Sequence, residues 1–241
     1  MAVKAGQNSG PPAPGDAGSW GDAATSLLFL GLIGGALLLP YGWRVPLCGW
    51  LFSRAVAPLA GYRQRIRDNL ALVFPDLPAA EVTRLVRAVP DNVGRTLIEI
   101  YSGADFIAHV SARPLSGPGL GALDEAHAAG RPVILVTGHF GNYDASRAAL
   151  IARGYRVGAL YNPMTNPWFN RHYVRAMSRI GTPLFARGKR GLGDMVRFLR
   201  TGGMLGLLID QRMVHGERLR FFGHDALTAL SAADLALKYD A

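Results

Sequence analysis

Apolar and polar residues alternate in three different ways along this chain, and each way predicts a different kind of element. Between Ala23 and Trp43 no residue carries a formal charge. Wound as a helix, that stretch would reach about 30 Å, the thickness of a bilayer's hydrocarbon core. Its densest part, Leu27 to Leu39, is interrupted by Gly31, Gly34 and Gly35, so a helix lying on a membrane surface competes with one that crosses it. From Gly61 to Phe74 apolar residues recur at helical spacing among arginines, which predicts a basic amphipathic helix stopped by Pro75 and Pro78. Ala79 to Ser102 predicts a further helix, broken near Pro90.

Beyond the Pro- and Gly-containing turn at Arg113 to Gly119 the period changes. Leu120 to Ala129 reads as a short helix. Val133 to Val136 is a run of four apolar residues, three of them β-branched, and reads as a buried strand. Helical patterns follow at Ala145–Arg153, Pro167–Ile180, Gly191–Arg200 and Thr228–Tyr239. Strand patterns fall between them at Arg156–Tyr161, Thr182–Phe185 and Met204–Ile209. Such alternation with short connections predicts an α/β fold, a mostly parallel central sheet flanked by helices, with an N-terminal hydrophobic membrane-anchoring helix. The chain divides accordingly into a disordered tail (1–21), a hydrophobic anchor (22–60) and a catalytic domain (61–241). The tail is rich in Gly, Pro, Ala and Ser and cannot bury a core.

Composition adds two constraints. The 241 residues suffice for one substantial domain, and charged residues make up only 18% of them, which points to a membrane neighbour. The net charge of +9 favours anionic lipid, nucleic acid or an acidic substrate. After the apolar stretch come Arg44, Arg54, Arg63, Arg65 and Arg67, and the positive-inside rule keeps that flank cytoplasmic. Cys48 is the only cysteine, so no internal disulfide can form.

The candidate chemistry sits where the strand at Val133–Val136 hands over to a helix, at Thr137-Gly138-His139-Phe140-Gly141-Asn142-Tyr143-Asp144. Carboxyl ends of strands are where open α/β sheets gather ligands. Across that turn, Asp144 could reach one ring nitrogen of His139, fix its tautomer and leave the other nitrogen free as a base. No G-x-S-x-G elbow supplies a nucleophile, so the pair suits general-base activation of a hydroxyl that the substrate brings. The plainer alternative makes Asn142 a helix cap and Asp144 a first-turn complement to the dipole.

Gly138-His139-Phe140-Gly141-Asn142-Tyr143-Asp144 resembles the G-H-F-G-N-W-E signature of the lipid A biosynthesis (lauroyl/myristoyl) acyltransferases, within the lysophospholipid acyltransferase superfamily and its His-x-x-x-x-Asp/Glu mark. Asp68 to Pro75 is similar to that family's N-L-x-x-x-F-P block. Leu207-Leu208-Ile209-Asp210-Gln211 is similar to its D-Q strand end, and Phe221-Phe222-Gly223 to its F-F-G block. The matches run in family order from Arg63 to Leu237. The family usually carries Glu where this chain has Asp144, and Asp is usual in the glycerolipid branch, so lysophospholipids and phosphatidylinositol mannosides stay open as acceptors.

The resemblance implies an acyl transfer from acyl carrier protein (or acyl-CoA) to a hydroxyl of an anionic glycolipid acceptor, a lipid A precursor, at the cytoplasmic side of the bacterial inner membrane. His139 and Asp144 would be catalytic, and backbone N–H groups near Gly141 and Asn142 would receive the oxyanion. Basic residues after the motif would hold the acceptor's phosphates, with Arg175 and Arg187 the choices here. Arg171, Arg175 and Arg179 recur every four residues and share a helix face. Asp210, at a strand end on the same sheet edge as His139, would orient an active-site Arg or hydroxyl. The family continues past the point where this chain stops, so the catalytic domain reads as C-terminally incomplete. Gly188 to Gly193 lacks phosphate-loop spacing, His215 and His224 lie in polar loops, and no spacing suggests a metal or a cofactor. Aromatic residues interleave with basic ones, but no nucleic-acid-binding motif accompanies them, so nucleic acid is not an expected partner. The reading from another class is a non-catalytic binder of anionic membranes or nucleic acid.

Overall fold

The computed structural model describes residues 18–213 and 216–241. The first 17 residues, the bulk of the expected tail, and His215 lie outside the described residues. Helix α1 (Trp20–Leu37) begins inside the span assigned to the tail, because Ser19 caps it: the Ser19 hydroxyl accepts from the Asp22 N–H, and the Asp22 carboxylate accepts from the Ser19 N–H in return. Pro40 opens α2 (Tyr41–Leu51), which runs through a π-helical turn at Phe52–Val56 into the short α3 (Ala57–Leu59). The basic amphipathic helix is α4 (Tyr62–Val73).

Helix α5 (Ala79–Tyr101) corrects one expectation, since it continues unbroken through Pro90. Interior proline costs about 3 kcal/mol or more. Here the ring is fully buried and α5 packs along α2. Gly94 makes that packing close, because a Cβ there would lie 2.5 Å from the Cys48 carbonyl oxygen. Helices α6 (Ala104–Ser111) and α7 (Leu120–Ala128) lead to the sheet.

The sheet has four parallel strands, β1 (Val133–Thr137), β2 (Val157–Tyr161), β3 (Leu184–Ala186) and β4 (Met204–Leu208), in the spatial order β1-β4-β2-β3. The connecting helices are α8 (Tyr143–Ile151), α9 (Pro167–Ile180) and α10 (Lys189–Arg200). Alternate strand residues point to opposite faces, and the two faces bury different sets. Leu205, Leu207 and Phe185 pack with Leu199 of α10 and Leu235 of α11 (Ser231–Tyr239). On the other face, Val157 and Met204 pack with Leu150 of α8, while Ala176 and Met177 of α9 join Ile100 and Phe106.

Between β4 and α11 lies a hairpin that the apolar pattern did not predict, β5 (Glu217–Phe221) paired with β6 (His224–Thr228). Every residue of β5 is exposed, so no alternation of burial is written into it. The turn is Phe222-Gly223, both at positive φ (50° and 77°), the requirement of two-residue hairpin loops of the primed class.

The expected anchor is not a free-standing helix. The α1 face bearing Asp22 and Ser26 lies against the start of α9, and α1 also touches α2 and α5. Its other faces are exposed, as are Trp43 and Trp50 of α2.

Candidate active site

His139 lies two residues past the end of β1, and Asp210 two residues past the end of β4. The strands are parallel neighbours in the register Thr137↔Leu208, so equal overhangs bring the two residues together. The His139 ring Nδ1 is 2.8 Å from Asp210 Oδ1, and the His139 backbone N–H donates to Oδ2 at 2.6 Å. Gly138 admits this approach: a Cβ there would sit 3.0 Å from Asp210 Oδ2 and from the Phe140 ring. With Nδ1–H donating to the carboxylate, Nε2 is the unprotonated nitrogen. The Gln211 amide lies 3.3 Å from Nε2.

The expected partnership of His139 with Asp144 is therefore replaced. Asp144 is in the first turn of α8, where its buried carboxylate accepts from Arg147 Nε at 2.7 Å, with both side chains about 5% exposed (6% and 5%). Arg147 spends its other N–H groups on the carbonyls of Gly181 and Met177. Three residues apart on a helix is a favourable pairing distance, whereas His139 lies outside the helix and faces β4. Among the described residues no hydrogen bond joins His139 to Asp144, and Asp144 Oδ2 has no partner. Both residues nevertheless line one cavity.

The remaining motif residues serve the turn. Asn142 caps α8, accepting from the Asp144 N–H at 3.0 Å, and donates to Glu99 Oε2 at 2.8 Å. Glu99 Oε1 accepts from the Tyr41 hydroxyl at 3.0 Å, so α2, α5 and the motif are one network. Burial first, then the Glu99 charge, pushes the Tyr41 hydroxyl well above its ordinary range. Gly141 takes a positive φ of 59°, and its carbonyl accepts from Thr96 at 3.2 Å. Partial burial alone would raise the Asp210 carboxyl; the ring and backbone bonds from His139 outweigh it and hold Asp210 below the usual carboxylate range.

The His139 cavity holds about 670 Å³ and runs back from the imidazole between the sheet and helices α8 and α9. Its floor explains its existence. Leu135, Gly206, Ala159 and Leu184 form one row across the four strands, and the two central positions carry the smallest side chains. A Cβ on Gly206 would meet nothing closer than 3.7 Å. Tyr143, Arg147, Leu150 and Met177 close the roof. A second cavity of about 650 Å³ lies beyond Asp210 and Gln211, lined by Asn69, Leu72, Arg212, Arg218 and Phe221. There Phe222 meets Phe74 edge-on, with ring centroids 5.5 Å apart, and His224 Nε2 lies 3.0 Å from the Leu72 carbonyl. Segments around Asn69, Asp210 and Phe221, remote in sequence, thus converge beside His139.

A match over residues 22–241 to the family model described as bacterial lipid A biosynthesis acyltransferase decides the family. The chain belongs to the bacterial lipid A biosynthesis acyltransferases. It is also 26% identical, over 153 residues, to a lipid A biosynthesis acyltransferase of Haemophilus influenzae. That similarity covers 62% of this chain and 46% of the relative, so the chain spans about half the length of the curated relative it matches.

Arg175 and Arg187, chosen from the sequence as phosphate holders, line neither cavity. Both are exposed, Arg175 on the outer face of α9 with Arg171 and Arg179. The arginines on the wall of the second cavity are Arg212 and Arg218, neither of which was expected from the sequence. Arg212 carried a signal, since it follows the Asp210-Gln211 pair directly. Arg218 carried none, because the hairpin that brings it back was not predicted. No group of metal-ligating residues is present among the described residues.

Proposed function

We propose that this acyltransferase-family protein moves a fatty acyl chain from an acyl thioester, carried by acyl carrier protein, to a hydroxyl of an anionic lipid A precursor at the inner face of the cytoplasmic membrane. The observation that carries this reading is the His139–Asp210 pair beside a cavity floored by Leu135, Gly206, Ala159 and Leu184. Asp210 holds Nδ1–H and leaves Nε2 as the base. Nε2 takes the proton of the acceptor hydroxyl, whose oxygen bonds to the thioester carbonyl carbon. The C–S bond then breaks, and the leaving sulfur takes the proton from the imidazolium. The N–H groups of Gly141 and Asn142, at the start of α8, are candidates for the oxyanion. The Asp144–Arg147 pair keeps α8 and the cavity roof in shape.

The acyl chain occupies the cavity over Gly206 and Ala159. From Thr137 back to Ile134, the residues of β1 that line the cavity, the strand runs about 10 Å at 3.3 Å per residue, which sets the scale of chain the cavity accepts. The second cavity, with Arg212 and Arg218 on its wall, takes the phosphorylated acceptor. The test is to incubate the full-length protein in membranes with labelled acyl thioester and candidate acceptors and identify products by mass. An acylated lipid A precursor, lost in His139→Ala, is the expected result. Acylation of a lysophospholipid instead would move the acceptor to the glycerolipid branch, and acylation unchanged in His139→Ala would overturn the mechanism.

A further inference from the structure

Helix α1 is long and apolar enough to cross a bilayer by length and composition, yet both of its ends are fastened to the same body. At the N-terminal end, Asn166 Nδ2 donates to the Asp22 carbonyl at 2.9 Å, and the Ser26 hydroxyl donates to Asn166 Oδ1 at 3.0 Å. Asn166 is the cap of α9, and Phe29 packs edge-on against Phe169 one turn further along. At the C-terminal end, Arg44 is 4% exposed, donates to the Leu39 carbonyl and to Ser102, and pairs with Asp105. This arginine, counted from the sequence in the positive flank of the apolar stretch, is an internal clamp. Helices α5, α6 and α9 pack on one another in the layer that covers the sheet.

A spanning helix puts its ends in two aqueous compartments, about 30 Å of hydrocarbon apart. Here an 18-residue helix, roughly 27 Å long, has both ends on one protein face. It cannot cross the bilayer while those contacts hold.

What faces outward is apolar. Trp20 is 93% exposed and Leu38 87%, and Leu28, Leu32, Trp43 and Trp50 continue the surface across α1 and α2. Indole rings at the margin of an apolar surface suit the membrane interface. Beyond α2 come the exposed Arg54, Arg65 and Arg67, of the sign that anionic headgroups attract. We propose that α1 and α2 form an in-plane docking platform for an anionic phospholipid surface, and that the protein sits on one leaflet without crossing the membrane. The inference rests on the membrane-sided part of the function proposed above and deepens it. The start of α9 lies past the carboxyl end of β2, the edge of the sheet that bears His139 and Asp210. The platform therefore sets the catalytic mouth beside the lipid surface, where an acceptor can enter sideways.

The test uses the full chain with Cys48→Ser, which removes its only thiol. Reporters are Trp20→Cys and Leu38→Cys, one at each end of α1, probed with a membrane-impermeant thiol reagent in intact spheroplasts and in inverted membrane vesicles. Both reporters, held against the lipid, should be protected in spheroplasts and in inverted vesicles alike, and should react once detergent dissolves the bilayer. The double variant Ser26→Cys/Asn166→Cys should cross-link while membrane-bound. Binding to phosphatidylethanolamine vesicles should rise by about fivefold for each arginine engaged when phosphatidylglycerol is included. Labelling of Trp20→Cys from the spheroplast exterior, absence of the cross-link, or no vesicle binding would each overturn the proposal. Because the readout is position and not turnover, a protein that docks this way but transfers no acyl group would refute the enzymatic reading and support this one.

Discussion

Two carboxylates compare most instructively in this molecule. Asp144 lies five positions from His139 in the sequence and shares its motif; Asp210 lies 71 positions away. Yet Asp210 holds the imidazole, while Asp144 is buried against Arg147. The half-exposed pair at the sheet edge can exchange protons with a substrate. The buried pair, inside a helix turn, is fixed. Parallel register explains the outcome: β1 and β4 end level, so residues at equal overhang meet, whereas a turn entering a helix carries its fifth residue around and away. Short sequence separation is thus a poor guide to which acid serves a histidine at a strand end.

Five substitutions and a pH series would break or sharpen that comparison. The largest effect belongs to His139→Ala, which should cost about 10² to 10⁴ in kcat with the melting temperature unchanged. Next comes the pair itself. Asp210→Asn should lower kcat about 10²-fold at near-native stability, because the tautomer is lost. Asp144→Asn should instead lower stability by about 3 kcal/mol or more, because Arg147 is left as an uncompensated buried charge. Kinetics and urea melts on both variants would decide this. If Asp144→Asn keeps full stability and loses more kcat than Asp210→Asn, the assignment of the two acids is reversed.

Gly206→Leu tests the cavity between them. At about 0.8 kcal/mol per buried methylene, excluding two methylenes should cost about tenfold in kcat/KM for long donors and spare short ones. A donor series read by mass would reveal an equal loss for all lengths if the chain lies elsewhere. Glu99→Gln should weaken the Tyr41–Glu99–Asn142 network by about 1 kcal/mol, visible as a small drop in melting temperature.

The smallest effect is electrostatic. The folded Asp210 carboxyl is held below its ordinary 3.8, so its contribution is present in full above that pH. It is lost as the pH falls from there through the folded value. Melting curves of the wild type and Asp210→Asn should converge as the solution is acidified through that range. A gap that widens instead would show that the carboxyl is not stabilised as described.

Much of this arrangement was legible beforehand. Val133–Val136, Met204–Ile209 and the alternation around them gave the parallel sheet, since buried strands must be continuously apolar. For Asn142 the plainer alternative, a helix cap, is what the structure has. Apolar periodicity and cap residues are local, and so they determined the elements, the sheet class and the position of His139 at a strand end. Strand order, the hairpin that returns Arg218 to the site, the exchange of Asp144 for Asp210 beside the imidazole, and the fastening of α1 at both ends were decided by tertiary structure. Each depends on which surfaces meet, and a pairing between residues 71 apart leaves no period in the chain. Pro90 makes the same point in reverse: the local cost of proline forecast a break, and the packing of α5 against α2 overrode it.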